Sequence, residues 1–246
     1  MALQPWQTGI VIRIENATYN TRRFFIQIPA IQTFDFIPGQ FVTLDLPIHD
    51  KPNKRWRSYS IASWPDGSNI FELLIVHLPG GSGSTYLFEQ VTVGSSLVLR
   101  GPQGVFTLPP IINTDLFFIS TGTGIAPFRS MLHYIHLHNI PHQNIYLLFG
   151  TRTQQDLLYH HELKDLQQHI TDFQYLPTLS REQWEGCRGY VHPVYESLIQ
   201  QRQKDNGSLP PALFYLCGWK AMISEGKERI LALGYDRKAI HQELYG

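Results

Sequence analysis

Leu116-Phe117-Phe118-Ile119-Ser120-Thr121-Gly122-Thr123-Gly124-Ile125-Ala126-Pro127 is the stretch on which the fold turns. Residues 116–119 are apolar without alternation, as in a strand buried on both faces. Gly122 and Gly124 let the chain turn tightly. Pro127 suits the first turn of a helix, where its missing N–H costs nothing. Strand, glycine turn and helix in that order open a parallel sheet layered with helices.

The same alternation continues toward the C-terminus. Strands are predicted over 116–120, 145–150, 173–179 and 213–217, and helices over 127–138, 156–169, 193–204 and 220–233. The character changes upstream, near Thr107-Leu108-Pro109-Pro110. Before it, short strands over 8–15, 23–28, 41–46, 56–63, 71–78 and 96–100 are punctuated by Gly and Pro. One helix interrupts them over 84–90, with Ser84 as its expected cap. Short, regularly spaced strands of this kind build an antiparallel barrel or sandwich. The chain is therefore expected to form two domains, a β-barrel over residues 1–109 and an α/β parallel-sheet domain over 110–246.

Composition removes several function classes. The 246 residues carry a formal net charge of zero, so no global field favours nucleic acid or a membrane surface. No apolar stretch is long enough to span a bilayer, and the N-terminus lacks the pattern of a secretory signal. A cytoplasmic monomer is the expectation. Two cysteines are too few for a disulfide framework or a four-cysteine cluster. The histidines lack companion ligands at matching spacing, so no metal site is expected.

The glycine turn is suited to a dinucleotide. Glycines admit a diphosphate close to the backbone, and the following helix offers free N–H groups and a positive dipole end. The pattern is Gly-x-Gly-x-x-Pro, and the next strand ends in Phe149-Gly150-Thr151-Arg152 rather than in an acidic residue. An arginine there, and Ser180-Arg181 after the third strand, fit a phosphorylated ribose. Ser180 and Arg181 are thus expected to receive the 2′-phosphate of NADP, with Tyr190 near the adenine.

A second nucleotide site is expected in the first domain. In Arg57-Ser58-Tyr59-Ser60, residues 57 and 59 share one strand face. The Arg57 fork suits a diphosphate, the Tyr59 ring suits flavin stacking, and the Ser60 hydroxyl suits a ring heteroatom. The loop Pro79-Gly80-Gly81-Ser82-Gly83-Ser84-Thr85, placed before a helix, suits a further diphosphate contact. Together they point to FAD.

At this point the chain resembles the ferredoxin–NADP reductase superfamily. The resemblance runs nearly the whole length, in order. It rests on Arg57-Ser58-Tyr59-Ser60, Gly81-Ser82-Gly83-Ser84, Gly101-Pro102-Gln103-Gly104-Val105-Phe106 and Thr121-Gly122-Thr123-Gly124-Ile125-Ala126-Pro127. It continues through Phe149-Gly150-Thr151-Arg152, Tyr215-Leu216-Cys217-Gly218 and Glu243-Leu244-Tyr245. The resemblance implies an FAD-binding antiparallel barrel followed by an NADP-binding α/β domain. It implies that Arg57, Tyr59 and Ser60 hold FAD, with backbone from Val76, His77 and Leu78, and that Ser82, Gly83 and Ser84 hold its diphosphate. Thr123 and Gly124 would line the nicotinamide nucleotide, Arg152 would meet its phosphates, Cys217 and Gly218 would flank the nicotinamide, and Met222 would lie near the nucleotide. Tyr245 resembles the terminal aromatic that stacks on the isoalloxazine, and Glu243 the carboxylate that acts with Ser60 and Cys217 at the reacting ring.

The activity so implied is hydride transfer between NADPH and FAD, with electrons exchanged with a separate ferredoxin or flavodoxin. The run Lys51-Pro52-Asn53-Lys54-Arg55 would suit an acidic carrier of that kind. Other readings stay open: an NADH-dependent reductase component of a multicomponent oxygenase, a flavin reductase, or an FAD-binding electron-transfer or regulatory subunit without turnover.

Overall fold

A computed structural model describes residues 4–245, apart from the side chains of Asn206 and Tyr245. The chain divides into two compact units. The first comprises Met1–Thr107 with Arg129–Tyr134, and the second Leu108–Phe128 with Ile135–Gly246.

The first unit contains β1 (Gln7–Thr18), β2 (Thr21–Gln27), β3 (Phe41–Asp45), β4 (Trp56–Ser60), β5 (Ile70–Val76), helix α1 (Ser82–Glu89) and β6 (Ser96–Gln103). The strands are antiparallel and follow the order β4-β3-β6-β1-β2-β5. A bridge from Ile61 to Leu73 joins the two ends of that order, so the sheet curls into a barrel. Its interior is apolar, with Phe24, Ile26, Val42, Leu44, Phe71, Leu73, Leu87 and Leu99 buried. Burying each such side chain contributes about 2 kcal/mol. Charge is buried beside β2: Glu72, 2% exposed, is held by a fork from Arg23 at 2.8 Å and by the buried Arg129 of the same unit at 3.1 Å. The Arg23 pair ties β2 to β5, because a carboxylate taken from water needs an immediate partner.

The second unit contains β7 (Asp115–Thr121), α2 (Ala126–Leu137), β8 (Ile145–Thr151), α3 (His160–His169), β9 (Phe173–Leu179), β10 (Cys187–Arg188), α4 (Val191–Asn206), β11 (Ala212–Trp219), α5 (Lys220–Ala232) and β12 (Ile240–Tyr245). The parallel sheet has the order β10-β9-β8-β7-β11-β12. Its central strands carry the unbroken burial that their apolar runs demand. Phe117, Ile119, Leu148, Tyr195, Phe214 and Leu216 form part of one core.

Several local expectations give way. Ser84 does not cap the helix. α1 starts earlier, with Gly81 at the cap and no side-chain bond there. The Ser84 hydroxyl instead closes the preceding loop, accepting from the Leu78 N–H at 3.0 Å and lying 3.1 Å from the Gly81 carbonyl oxygen. The helix expected from residue 156 starts at His160. Asp156 closes a short 3-10 turn with Thr153, and Tyr159 then takes a left-handed conformation at φ 53. The edge strand β12 goes unread in the sequence and lies parallel to β11.

Candidate functional site

Each unit presents a cradle for a nucleotide. In the first, β4 places Arg57 and Tyr59 on one face. The Arg57 guanidinium donates to the backbone oxygens of Lys54 at 3.0 Å and Trp56 at 2.8 Å. Its other terminal nitrogen lies 3.5 Å from the Ser82 hydroxyl. The cation is therefore held across the start of α1. Gly83 explains how: a Cβ there would come 3.0 Å from Arg57 Cγ and 3.1 Å from Nε. The first turn of α1 has neither a capping side chain nor an acidic residue. Its leading N–H groups, at Ser82, Gly83 and Ser84, lack intrahelical acceptors. A fixed cation beside open N–H groups fits a diphosphate. This is the observation by which the first unit fits FAD.

The other flavin candidates have definite places. Tyr59 packs against the barrel core, and burial pushes its phenol up to about 12 while Arg57 pulls the other way. The hydroxyl thus stays protonated and able to donate at any ordinary pH. Ser60 is buried on the opposite face of β4. Val76 closes β5. The N–H groups of His77 and Leu78 are already engaged, by the Asn20 carbonyl at 2.7 Å and the Ser84 hydroxyl at 3.0 Å. A backbone donor from either is not on offer. The Ser84 hydroxyl is likewise taken up within the loop, which leaves its N–H as the group still open.

The second cradle is built mainly of backbone. β7 leads into a 3-10 turn, Gly122–Ile125, and then α2. A Cβ on Gly124 would overlap the Cys217 carbonyl and lie 2.8 Å from the Gly218 nitrogen. The turn is thus pressed onto the end of β11, and only glycine permits it. The Thr121 hydroxyl accepts from the Trp219 N–H at 3.2 Å and fastens the same junction. Thr123 is half-buried beside Gly124. Cys217 and Gly218 are buried at the strand end, and Cys217 stands in register with Glu243 on β12. The backbone of Tyr245 pairs with Trp219. The ring of Tyr245 lies outside the described residues.

Met222 also has a definite place. It is 9% exposed and belongs to the apolar core, because it falls on the inner side of the first turn of α5. The resemblance places it near the nucleotide, and its side chain belongs to the core cluster of this unit.

The phosphate candidates cluster at the C-terminal ends of β8 and β9. The Ser180 N–H and hydroxyl both donate to the Thr151 carbonyl, at 3.0 and 3.2 Å. The Arg181 N–H donates to the Arg152 carbonyl at 2.9 Å. Both arginine side chains are exposed, and neither makes an ion pair or hydrogen bond among the described residues. Tyr190 is 74% exposed just before α4. Arg188 is committed elsewhere, to the Trp184 carbonyl at 2.9 and 3.0 Å. Sequence reasoning missed Glu182, which accepts from Gln154 across this cluster. Its only signal was its place next to Ser180-Arg181.

Two nucleotide cradles on these two folds define an FAD-dependent oxidoreductase that uses a nicotinamide nucleotide. Family models agree: the oxidoreductase FAD-binding domain matches residues 8–108, and the oxidoreductase NAD-binding domain matches 118–227. The chain is 38% identical over 217 residues to ferredoxin–NADP reductase B of Sorangium cellulosum, covering 87% of each protein. It is 36% identical to the anthranilate 1,2-dioxygenase electron transfer component of Acinetobacter baylyi, over 80% of this chain but only 54% of that protein's length. Among solved structures, a ferredoxin–NADP reductase from Neisseria gonorrhoeae with bound FAD and NADP superposes with a TM-score of 0.78 at 24% identity, covering 97% of this chain and 98% of the other. The chain belongs to the ferredoxin–NADP reductase superfamily.

Proposed function

We propose that the protein passes electrons between NADPH and a separate ferredoxin- or flavodoxin-type carrier by way of FAD, with residues 1–109 binding the flavin and 110–246 the nicotinamide nucleotide. The observation that carries the nucleotide choice is the pair of uncommitted guanidiniums, Arg152 and Arg181, on adjoining strand ends. Two guanidiniums without protein partners among the described residues suit a phosphate monoester better than a bare ribose diol.

FAD supplies the ability to take a hydride and release electrons singly. The protein supplies the rest. Arg57 and the open N–H groups of α1 neutralise the flavin diphosphate. Tyr59 offers a ring and a phenol that stays protonated, and Ser60 a hydroxyl on the opposite strand face. Thr123 and Gly124 admit the nicotinamide nucleotide, which Cys217 and Gly218 flank. By the resemblance, Glu243 would be the carboxylate that holds or moves a proton, and Tyr245 the aromatic at the flavin. Lys51 and Lys54 are exposed and would draw an acidic carrier, while Arg55 is neutralised by Asp45 at 2.8 Å. Two free cysteines fit a reducing compartment, and the same reading takes the protein as a cytoplasmic monomer.

A second reading has one specific support, the similarity to the anthranilate dioxygenase component. In it the donor is NADH and the acceptor an oxygenase component. Stopped-flow reduction under anaerobic conditions separates the two. The purified protein should be yellow, and NADPH should bleach it faster than NADH at equal concentration. A colourless protein that takes up no FAD would remove both readings. Faster bleaching by NADH would favour the second.

A further inference from the structure

Glu182 is an acidic residue where a phosphate is expected, and its carboxylate has a definite task. Its Oε2 accepts from the Gln154 N–H at 2.7 Å, and its Oε1 from the Gln154 side-chain amide at 2.9 Å. These two bonds join the loop after β9 to the loop after β8, residues separated by 28 positions in sequence. They continue a seam of three bonds that begins at Ser180 and Arg181, which donate to the Thr151 and Arg152 carbonyls. Each loop is also braced within itself. The Asp156 carboxylate accepts from the Thr153 hydroxyl at 2.8 Å and from the Thr153 N–H at 3.0 Å, which fixes Gln154 at the start of its short helical turn. The Trp184 indole N–H donates to the Cys187 carbonyl at 2.7 Å, and Arg188 clamps the Trp184 carbonyl. Arg152 and Arg181 flank this seam, one on each loop.

We infer that Glu182 is a positioning residue for nucleotide choice: by tying Gln154 to its own loop it fixes the separation of Arg152 and Arg181 so that both address one phosphate monoester. The inference rests on the assignment of those arginines to the 2′-phosphate of NADP. Two flexible guanidiniums on independent loops would each lose side-chain freedom on binding and would repel one another when brought together. A seam that sets their backbones in advance lowers that cost. Glu182 supplies that seam with its carboxylate. Its two acceptor oxygens are spent on neutral N–H donors, so it does not sequester either guanidinium.

A role in positioning and a role as a nearby negative charge predict opposite signs. Removing a carboxylate beside a phosphate dianion strengthens binding if charge alone matters. Removing it weakens binding if the seam matters.

The test is calorimetric titration of the FAD-loaded protein with NADP+ and with NAD+, for wild type and the variants Glu182→Ala, Glu182→Gln and Arg181→Ala. Glu182→Ala should weaken NADP+ binding about fivefold to tenfold, the scale of one or two net hydrogen bonds, and change NAD+ binding less than about twofold. Glu182→Gln, which keeps one acceptor oxygen for the Gln154 N–H, should fall between Ala and wild type. Tighter NADP+ binding in Glu182→Ala, or equal weakening for both nucleotides, overturns the inference. Arg181→Ala tests the underlying assignment separately and should weaken NADP+ about tenfold or more relative to NAD+. If Arg181→Ala leaves that ratio unmoved, the 2′-phosphate assignment fails and the inference with it. If Arg181→Ala shifts the ratio and Glu182→Ala does not, the inference alone fails.

Discussion

On the proposed reading the two units meet a similar demand, a diphosphate held beside a helix start, with different materials. The flavin unit uses a side chain, since Arg57 lies across α1 over a glycine that leaves it room. The nicotinamide unit uses main chain, since the Gly122–Ile125 turn is pressed onto the carbonyl end of β11. A side-chain cradle can fail while its fold survives. A main-chain cradle is part of the fold, and damage to it is damage to the domain.

The sharpest trial of that contrast is Gly124→Ala. Its new methyl would meet the Cys217 carbonyl and the Gly218 nitrogen, neither of which can swing aside. We expect a loss of about 3 kcal/mol or more, the upper range of overpacking, read from urea denaturation. Gly83→Ala is the matched control. Its methyl would meet Arg57 Cγ and Nε at 3.0 and 3.1 Å, parts of a flexible chain. Stability should change by less than about 1 kcal/mol, while FAD affinity falls because the guanidinium is displaced. Equal destabilisation by the two alanines would break the contrast.

Arg57→Ala comes next in size. FAD affinity should fall about 30-fold or more, the scale of a lost charge-assisted contact, with only a small change in the unfolding of the apoprotein. Quenching of free FAD fluorescence on titration gives the affinity. An Arg57→Ala protein that retains FAD at the wild-type level would show that the α1 N–H groups hold the diphosphate without the cation. Thr121→Val should cost about 1 kcal/mol of stability through the lost bond to the Trp219 N–H. That small penalty, set against Gly124→Ala, would confirm that backbone contact rather than the hydroxyl fixes the turn.

Sequence made different parts of the two units legible. The run at 116–119 could be read because a strand buried on both faces has no room for polar residues, and β7 and β8 are buried over nearly their full length. Arg57 and Tyr59 could be placed on one face because strand periodicity is two. What escaped depends on partners far away in the chain. β12 reads Ile240-His241-Gln242-Glu243-Leu244, a polar mixture that gains strand structure only from its register with β11. Ser84 has the chemistry of a cap, but the loop from Leu78 claims its hydroxyl first. Glu182 acts through Gln154, and no local pattern announces a contact of that range.

The smallest expected effect concerns acid. The histidines His160, His192 and His241, all in the second unit, have pKa values pushed below the ordinary histidine range by burial. His192 is the most enclosed, between the Tyr195 hydroxyl at 3.2 Å and Glu225 at 3.8 Å. Glu225 and Glu196 oppose the shift and Arg229 reinforces it. A histidine whose pKa is lower folded than unfolded takes its proton more readily in the unfolded chain. Its neutral form therefore contributes fully above the unfolded value of about 6.5 and loses that contribution as pH falls through the folded value. The second unit should thus weaken as pH falls below about 6.5, before the first does. Both cysteines lie in the second unit and Cys217 is buried, so pulsed thiol labelling in urea reports that unit alone, while flavin release reports the other. His192→Gln should reduce the acid response of labelling, with His160 and His241 still contributing, and leave flavin release unchanged. If acid advanced both signals together in wild type, the units would share one unfolding transition, and the separation of side-chain from main-chain failure would have to be sought in ligand affinity alone.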